Sequence, residues 1–254
     1  MPMEYVNRLM AKVEIKTGYP VTVINDDKLP SNSGMKAASA ELPSHIVMLN
    51  PKYERGANYL IAVQCLMLMM KQVSENEVCE FTVLSEKFEY LVDKAVKQMA
   101  KVNIPPDVKS GYAQRIVRGL LQQLNSLPCE IMAIQEIHRD APDLRAEMEY
   151  ILNSELQVNF DSLSPDISAI APKDIFAKNT AMNAAFAIIC GEVLGNPGIV
   201  QPYKVSGVID EGHKLAALIR NPTSPGGNLY QKTVDSWAEH LKMKTMYNWT
   251  VREK

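Results

Sequence analysis

The chain has 254 residues, of which 46% are hydrophobic and 22% are charged, a composition typical of globular proteins rather than disordered or fibrous ones. Its formal net charge of -2 excludes the strongly basic surface of a typical nucleic-acid-binding protein, so no nucleic-acid partner is predicted. Residues 1–10 lack the apolar core of a signal peptide, and the apolar stretches at residues 59–70 and 181–190 are shorter than the roughly 20 residues that span a bilayer. We therefore expect a cytoplasmic protein with no membrane partner.

The first 50 residues predict a helix followed by a small sheet. Residues 3–15 place their apolar side chains on one side at helical spacing, and Gly18 then ends the helix. Residues 20–24 are rich in β-branched side chains and predict a strand, and residues 44–49 predict a second strand that ends at Asn50-Pro51. The polar segment 28–44 between them is interpreted as a loop. A sheet of two or three strands is therefore expected near the amino terminus.

The rest of the chain predicts helices separated by prolines. The fold class is therefore mostly α, of the α+β type, with either one domain or a core at residues 1–102 and a helical extension at 103–254 packed on it. The predicted helices span residues 56–72, 85–102, 107–127, 130–138, 143–160, 172–194, 210–219 and 229–242.

The helix predicted at residues 56–72 is unusual because only Asn58 and Gln64 are clearly polar between Ala57 and Met70. A helix of that kind is expected to be surrounded by protein on nearly all sides. The order of elements over residues 1–100 resembles that of the ImmA/IrrE-type zinc metallopeptidases. It consists of an amphipathic helix, a strand, a loop, a strand ending in Asn50-Pro51 and this buried helix. In that family the buried helix carries the motif His-Glu-x-x-His after an alanine.

The resemblance places the three motif positions on residues that cannot perform the family's chemistry. If Ala62 matches the alanine before the motif, the two zinc-binding histidines fall on Val63 and Met67, and the catalytic glutamate falls on Gln64. Valine has no donor atom, a thioether is a soft ligand poorly suited to zinc, and a carboxamide cannot act as a general base. A third ligand would come from the following helix, where Glu86 and Glu89 are available.

The resemblance therefore implies a zincin-like core without peptidase activity, with no catalytic residue, no metal and no cofactor. Val63, Gln64, Met67 and Glu89 mark the former cleft, where a protein or peptide partner is expected to bind. A generic helical domain that never carried the motif is the alternative reading of the same pattern. A second alternative is a metal-dependent hydrolase whose site is assembled from the dispersed side chains of His45, Glu86, Glu89 and His213.

A third alternative is a structural or assembly component. Residues 130–161 carry eight acidic and two basic side chains, whereas residues 201–254 carry eight basic and five acidic ones. The two regions are interpreted as solvated helix faces, as an intramolecular contact, or as the complementary halves of a homo-oligomer interface.

Two further features of the sequence are assigned structural roles. Cys65, Cys79, Cys129 and Cys190 lack metal-binding spacing and are interpreted as buried thiols of a reducing compartment. In the helix at residues 172–194, small side chains are expected to allow close helix packing around the polar points Asn179, Asn183 and Glu192.

Overall fold

The computed structural model describes residues 3–74, 77–99, 105–225 and 227–253, and in this part of the chain the fold is mostly α-helical with two small sheets. The predicted fold class is thereby confirmed. The helices are α1 (Glu4–Thr17), α2 (Ala57–Lys71), α3 (Ser85–Gln98), α4 (Pro106–Asp140), α5 (Arg145–Asp161), α6 (Pro165–Ile170), α7 (Lys173–Leu194), α8 (Gln201–Val205), α9 (Ile209–Arg220) and α10 (Leu229–His240). The strands are β1 (Val21–Asn25), β2 (Ser33–Lys36), β3 (His45–Leu49), β4 (Gln72–Ser74), β5 (Glu77–Val83) and β6 (Tyr247–Glu253).

Contacts divide the chain into two compact units. The first comprises Met1–Glu80, Met132–Glu155 and Thr250–Lys254, and the second comprises Phe81–Ile131 and Leu156–Trp249. The domain boundary predicted after residue 102 lies outside the described residues. In the part of the chain that is described, no helix is both long enough and apolar enough to cross a membrane.

The first unit is built on a three-stranded sheet with the order β1-β3-β2. The central strand β3 pairs in parallel with β1, where Val21 lies opposite His45, and antiparallel with β2, where Ser33 lies opposite Leu49. Strand β2 lies within the segment that sequence analysis assigned to a loop. The four residues of β2 include a glycine and carry no alternating apolar pattern, so only the pairing with β3 defines them as a strand.

Helix α2 is the centre of the first unit, as its apolar sequence predicts. Eight of its side chains are buried: Tyr59, Leu60, Ile61, Ala62, Val63, Cys65, Leu66 and Leu68. Its amino-terminal end is held by the Glu147 carboxylate, which accepts hydrogen bonds from Asn58 Nδ2 at 2.8 Å and from the Tyr59 main-chain N–H at 3.0 Å. A carboxylate at this end of a helix offsets the partial positive charge of the unpaired N–H groups.

The helix break predicted at Pro128 is wrong, because α4 runs through this proline from Pro106 to Asp140. A proline inside a helix removes one main-chain hydrogen bond and costs about 3 kcal/mol. Here the residues around it are buried, including Leu124, Cys129, Ile131 and Ile134. Burial of such side chains contributes about 1.5–3 kcal/mol each, so packing on both sides of Pro128 outweighs the local cost.

The expectation of helices alone after residue 50 is also wrong, because a second three-stranded sheet has the order β4-β5-β6. In the second unit, Phe81 of β5 stacks on Tyr247 with ring centroids 4.0 Å apart and meets Trp249 edge-on at 5.7 Å. The buried Asp235 carboxylate accepts hydrogen bonds from the Tyr247 hydroxyl at 2.5 Å and from Trp249 Nε1 at 2.9 Å. Aromatic residues at the carboxyl end of the chain are thus fixed in place by one carboxylate.

Close helix packing in the second unit confirms the interpretation of the small residues in α7. A Cβ atom added at Gly212 of α9 would lie 2.6 Å from the Ala184 Cβ atom of α7 and 3.1 Å from the Ala185 nitrogen. The two helices therefore approach so closely that only glycine fits at position 212.

Candidate functional site

Of the four positions that the resemblance assigns to the former cleft, Glu89 lies on α3, and the other three lie on α2 and differ in exposure. Val63 is 4% exposed and belongs to the core. Gln64 and Met67 are half-buried. Gln64 Nε2 donates a hydrogen bond of 2.9 Å to Ser33 Oγ on β2, and its carboxamide makes no other hydrogen bond with the described residues. Gln64, the one polar side chain of these three, thus faces the edge strand β2 of the sheet.

These residues do not fit a zinc ion. The side chain of Val63 is buried and has no lone pair, and neither the Met67 thioether nor the Gln64 carboxamide is a good zinc ligand. Across the described residues, no three His, Cys, Asp or Glu side chains are grouped so that they could hold a metal ion.

The main chain of β2 can be assigned residue by residue from its hydrogen bonds. The Asn50 N–H donates to the Asn32 carbonyl at 3.0 Å, which makes Asn32 and Asn50 a hydrogen-bonded pair across β2 and β3. Hydrogen-bonded and non-hydrogen-bonded pairs alternate in an antiparallel ladder. Ser33 with Leu49 and Met35 with Val47 are therefore non-hydrogen-bonded pairs. The Asp26 N–H donates to the Leu49 carbonyl at 2.8 Å, which shows that Leu49 directs its main chain towards β1 rather than β2.

It follows that Ser33 and Met35 direct their main-chain N–H and C=O groups away from β3, towards the free edge of the sheet. The Ser33 carbonyl accepts a hydrogen bond of 2.8 Å from the nearby Ser31 hydroxyl. No described residue pairs with the main chain of Met35 on that side. Ser33, Gly34 and Met35 are half-buried and Lys36 is exposed, so the edge is short but reachable from solvent.

Two side chains next to this edge have structural roles. Asn50, the asparagine that contributes to the family resemblance, donates to the Leu29 carbonyl at 2.9 Å and accepts from the Lys52 N–H at 3.0 Å, so it caps the turn before α2. Asn32 Nδ2 donates to Glu155 Oε1 at 2.7 Å and anchors the start of β2. These bonds hold the edge strand in register beside α2.

The remaining predicted site residues are dispersed. Glu86 and Glu89 are exposed on α3 of the second unit, where Glu89 lines a cleft. His213 is exposed on α9 of that unit. His45 of the first unit is 0% exposed, and its ring contacts the Ala38 N–H at 2.9 Å and Thr17 Oγ1 at 2.9 Å. His45 is thus a hydrogen-bonded core residue.

The polar points of α7 also have structural partners. Asn179 Nδ2 donates to Gln123 Oε1 at 2.8 Å, and Gln123 in turn donates to Asn183 Oδ1 at 2.5 Å. Glu192 forms an ion pair with Arg220 of α9 at 2.6 Å. These bonds join α7 to its neighbours and support the packing interpretation.

No protein-family model, curated protein or solved structure matches this chain. The candidate site therefore rests on geometry alone, and its main component, the edge of β2, was missed by sequence analysis. Strand β2 has too few residues to show a two-residue period, and the one usable signal was Gln64, whose half-buried carboxamide required a hydrogen-bonding partner.

Proposed function

We propose that this chain is a non-catalytic protein on a metallopeptidase-like scaffold, and that it binds an extended peptide segment along the free edge of β2. The observation that carries the proposal is the set of outward-facing main-chain groups on β2, namely the N–H of Ser33 and the N–H and C=O of Met35. An added strand satisfies such groups with the same hydrogen bonds that join strands within a sheet, and this is a recurring mode of peptide recognition.

Gln64 supports the same binding mode. Its Nε2 atom holds Ser33 in place, and its Oε1 atom and second N–H have no hydrogen-bonding partner among the described residues. A carboxamide presents both a donor and an acceptor, which are the two groups that a peptide bond also carries. Val63, Gln64 and Met67 lack an activated nucleophile or a general base, and this supports binding rather than hydrolysis.

The proposed setting is the cytoplasm, where thiols stay reduced. The proposed partner is a protein or peptide, and self-association through the acidic region at residues 130–161 remains a prediction. A site assembled from His45, Glu86, Glu89 and His213 also remains a prediction.

The experiment uses the substitution Met35→Pro. Proline removes the outward N–H of Met35 and leaves the β2–β3 ladder intact, because that N–H is not part of it. Linear peptides selected from a random display library against the full chain are then titrated by fluorescence anisotropy. Met35→Leu is the matched control, since it changes the side chain and keeps the N–H group.

We expect Met35→Pro to weaken peptide binding about tenfold or more, and Met35→Leu to change it by less than about threefold. Circular dichroism of both variants verifies the fold. Equal binding of the selected peptides to Met35→Pro and to the original chain would overturn the proposal, as would a selection that yields no peptide above background. About one zinc per chain, measured by elemental analysis after purification without chelator, would overturn its non-catalytic part.

A further inference from the structure

The second unit contains a cleft of about 450 Å³ that the proposed peptide edge does not use. Its apolar wall consists of Phe81, Val83, Phe88 and Leu121. Its polar rim consists of Ser85, Glu89, Arg118, Gln122 and Asn125. A volume of a few hundred Å³, an apolar wall and a small number of polar groups are typical of sites for small organic molecules.

One face of α4 supplies most of the polar groups. Arg118, Leu121, Gln122 and Asn125 follow one another at spacings of three, four and seven residues, so their side chains lie on the same side of the helix. Because these residues belong to one rigid element, the guanidinium and the two carboxamides keep a constant spacing along the cleft.

Arg118 is the cation of the cleft. Its guanidinium carbon lies 5.9 Å from the centre of the Phe88 ring, and Arg118 forms no ion pair with a described carboxylate. A guanidinium held over an aromatic ring is attracted to the ring face and presents a planar fork of donors. Its strongest complement is a carboxylate, which accepts two parallel N–H bonds.

Asn125 adds an oriented donor to the cleft, about two helical turns beyond Arg118 on the same face of α4. The buried Tyr230 hydroxyl donates to Asn125 Oδ1, which leaves the two N–H groups of Asn125 Nδ2 without a hydrogen-bonding partner among the described residues. The orientation of the carboxamide is therefore set by a residue outside the cleft. A ligand in the cleft that accepts a hydrogen bond from Asn125 Nδ2 would satisfy these N–H groups.

The aromatic wall is similarly held from behind. Phe81 stacks on Tyr247 and contacts Trp249, and both of these residues bond to the Asp235 carboxylate. Phe81 and Phe88 are half-buried, so each keeps part of its ring exposed in the cleft. The aromatic surfaces of Phe81 and Phe88 favour a planar aromatic body, since rings that stack or meet edge-on gain about 0.5–1.5 kcal/mol beyond their buried area.

We propose that this cleft binds a small aromatic monocarboxylate, with the carboxylate on Arg118 and the ring against Phe81 and Phe88. The rim contains one cation and one carboxylate, Glu89. A dianionic phosphate group would be repelled by Glu89, and Arg118 alone would neutralise only one of its two charges. A monoanion is neutralised by the single charge of Arg118.

The test is isothermal titration calorimetry of the full chain with 2-naphthoate as the probe. Two ligand controls separate the contributions: 2-naphthamide keeps the ring without the charge, and cyclohexanecarboxylate keeps the charge without the aromatic ring. We expect saturable binding of one 2-naphthoate per chain and at least about tenfold weaker binding of either control.

Two substitutions locate the site. Arg118→Gln removes the cation and is expected to weaken 2-naphthoate binding by about tenfold or more, whereas Arg115→Gln, an exposed arginine of α4 outside the cleft, is expected to change it by less than about twofold. Phe88→Ala is expected to weaken it as well. No saturable binding at about 5 mM 2-naphthoate, or equal binding by Arg118→Gln and the original chain, would overturn the proposal. Because Arg118 is exposed, its replacement leaves the fold intact, and the Met35 experiment is unaffected by either result.

Discussion

Gln64 on the buried helix α2 donates a 2.9 Å hydrogen bond to Ser33 Oγ on the edge strand β2. This bond joins two residues that lie 31 positions apart in the chain. The Gln64 side chain therefore links the buried helix α2 to the edge strand of the sheet.

A double-mutant cycle measures this link. Gln64→Met keeps the size and removes the donor, and Ser33→Ala removes the acceptor. Each single change is expected to lower the free energy of unfolding by about 0.5–1.5 kcal/mol, and the double change by less than their sum. Urea unfolding followed by circular dichroism gives the four values. Strict additivity of the two changes would contradict an energetic link between these side chains.

The close contact between α7 and α9 predicts that one added methyl group at position 212 lowers the free energy of unfolding. In Gly212→Ala the new Cβ atom would clash with Ala184 on α7, so the helices must separate and the free energy of unfolding is expected to fall by about 1–3 kcal/mol. Gly111→Ala is the matched control: an added Cβ atom on this helical glycine meets nothing within 4 Å. Since alanine favours helix, Gly111→Ala is expected to raise the unfolding free energy by about 0.5–1 kcal/mol. Thermal unfolding gives the stability of both variants. An equal loss of stability in Gly212→Ala and Gly111→Ala would refute the close approach of α7 and α9.

The four cysteines are buried thiols, as sequence analysis predicts. Burial also raises the pKa of Cys65 to about 12, so almost none of this thiol is in the reactive thiolate form near neutral pH. Titration with Ellman's reagent is expected to detect no rapidly reacting thiol in the folded chain and all four in guanidinium chloride. A thiol of the folded chain that reacts as fast as free cysteine would show that at least one of the four is accessible.

Glu130 on α4 predicts a pH dependence of stability. Burial raises the pKa of its carboxyl group from the ordinary 4.5 to about 7. The folded chain therefore holds a proton there that the unfolded chain releases, so this contribution to stability is present below about pH 4.5 and is lost as the pH rises through 7. Glu130→Gln imitates the protonated form and is expected to raise the unfolding free energy by about 1–2 kcal/mol at pH 8 and by little at pH 4.

The control for this prediction is Glu41→Gln, which changes an exposed loop carboxylate. Its effect on stability is expected to be within about 0.5 kcal/mol at both pH values. Melting temperatures of the three chains at pH 4 and pH 8 provide the comparison. A Glu130→Gln variant that is no more stable than the original chain at pH 8 would contradict the raised pKa.

Sequence alone was sufficient wherever one element carries a strong local pattern. The apolar run of α2 predicted a central helix, the β-branched segments predicted β1 and β3, and the small residues of α7 predicted close packing. In each case the signal lies within a single element, in the types and order of its own residues.

Tertiary structure decided the features that depend on residues far apart in the chain. Strand β2 exists because β3 pairs with it, α4 continues through Pro128 because both flanks are buried, and the cleft of Arg118 needs Tyr230 to orient Asn125. In each case a weak or unfavourable local preference is overcome by contacts with residues far away in the sequence. A short stretch of sequence shows the local preference but not those contacts. The sequence by itself thus determined that α2 is buried and that no His-Glu-x-x-His motif is present, whereas only the fold decided which main-chain groups of β2 face away from β3 and which side chains line the cleft.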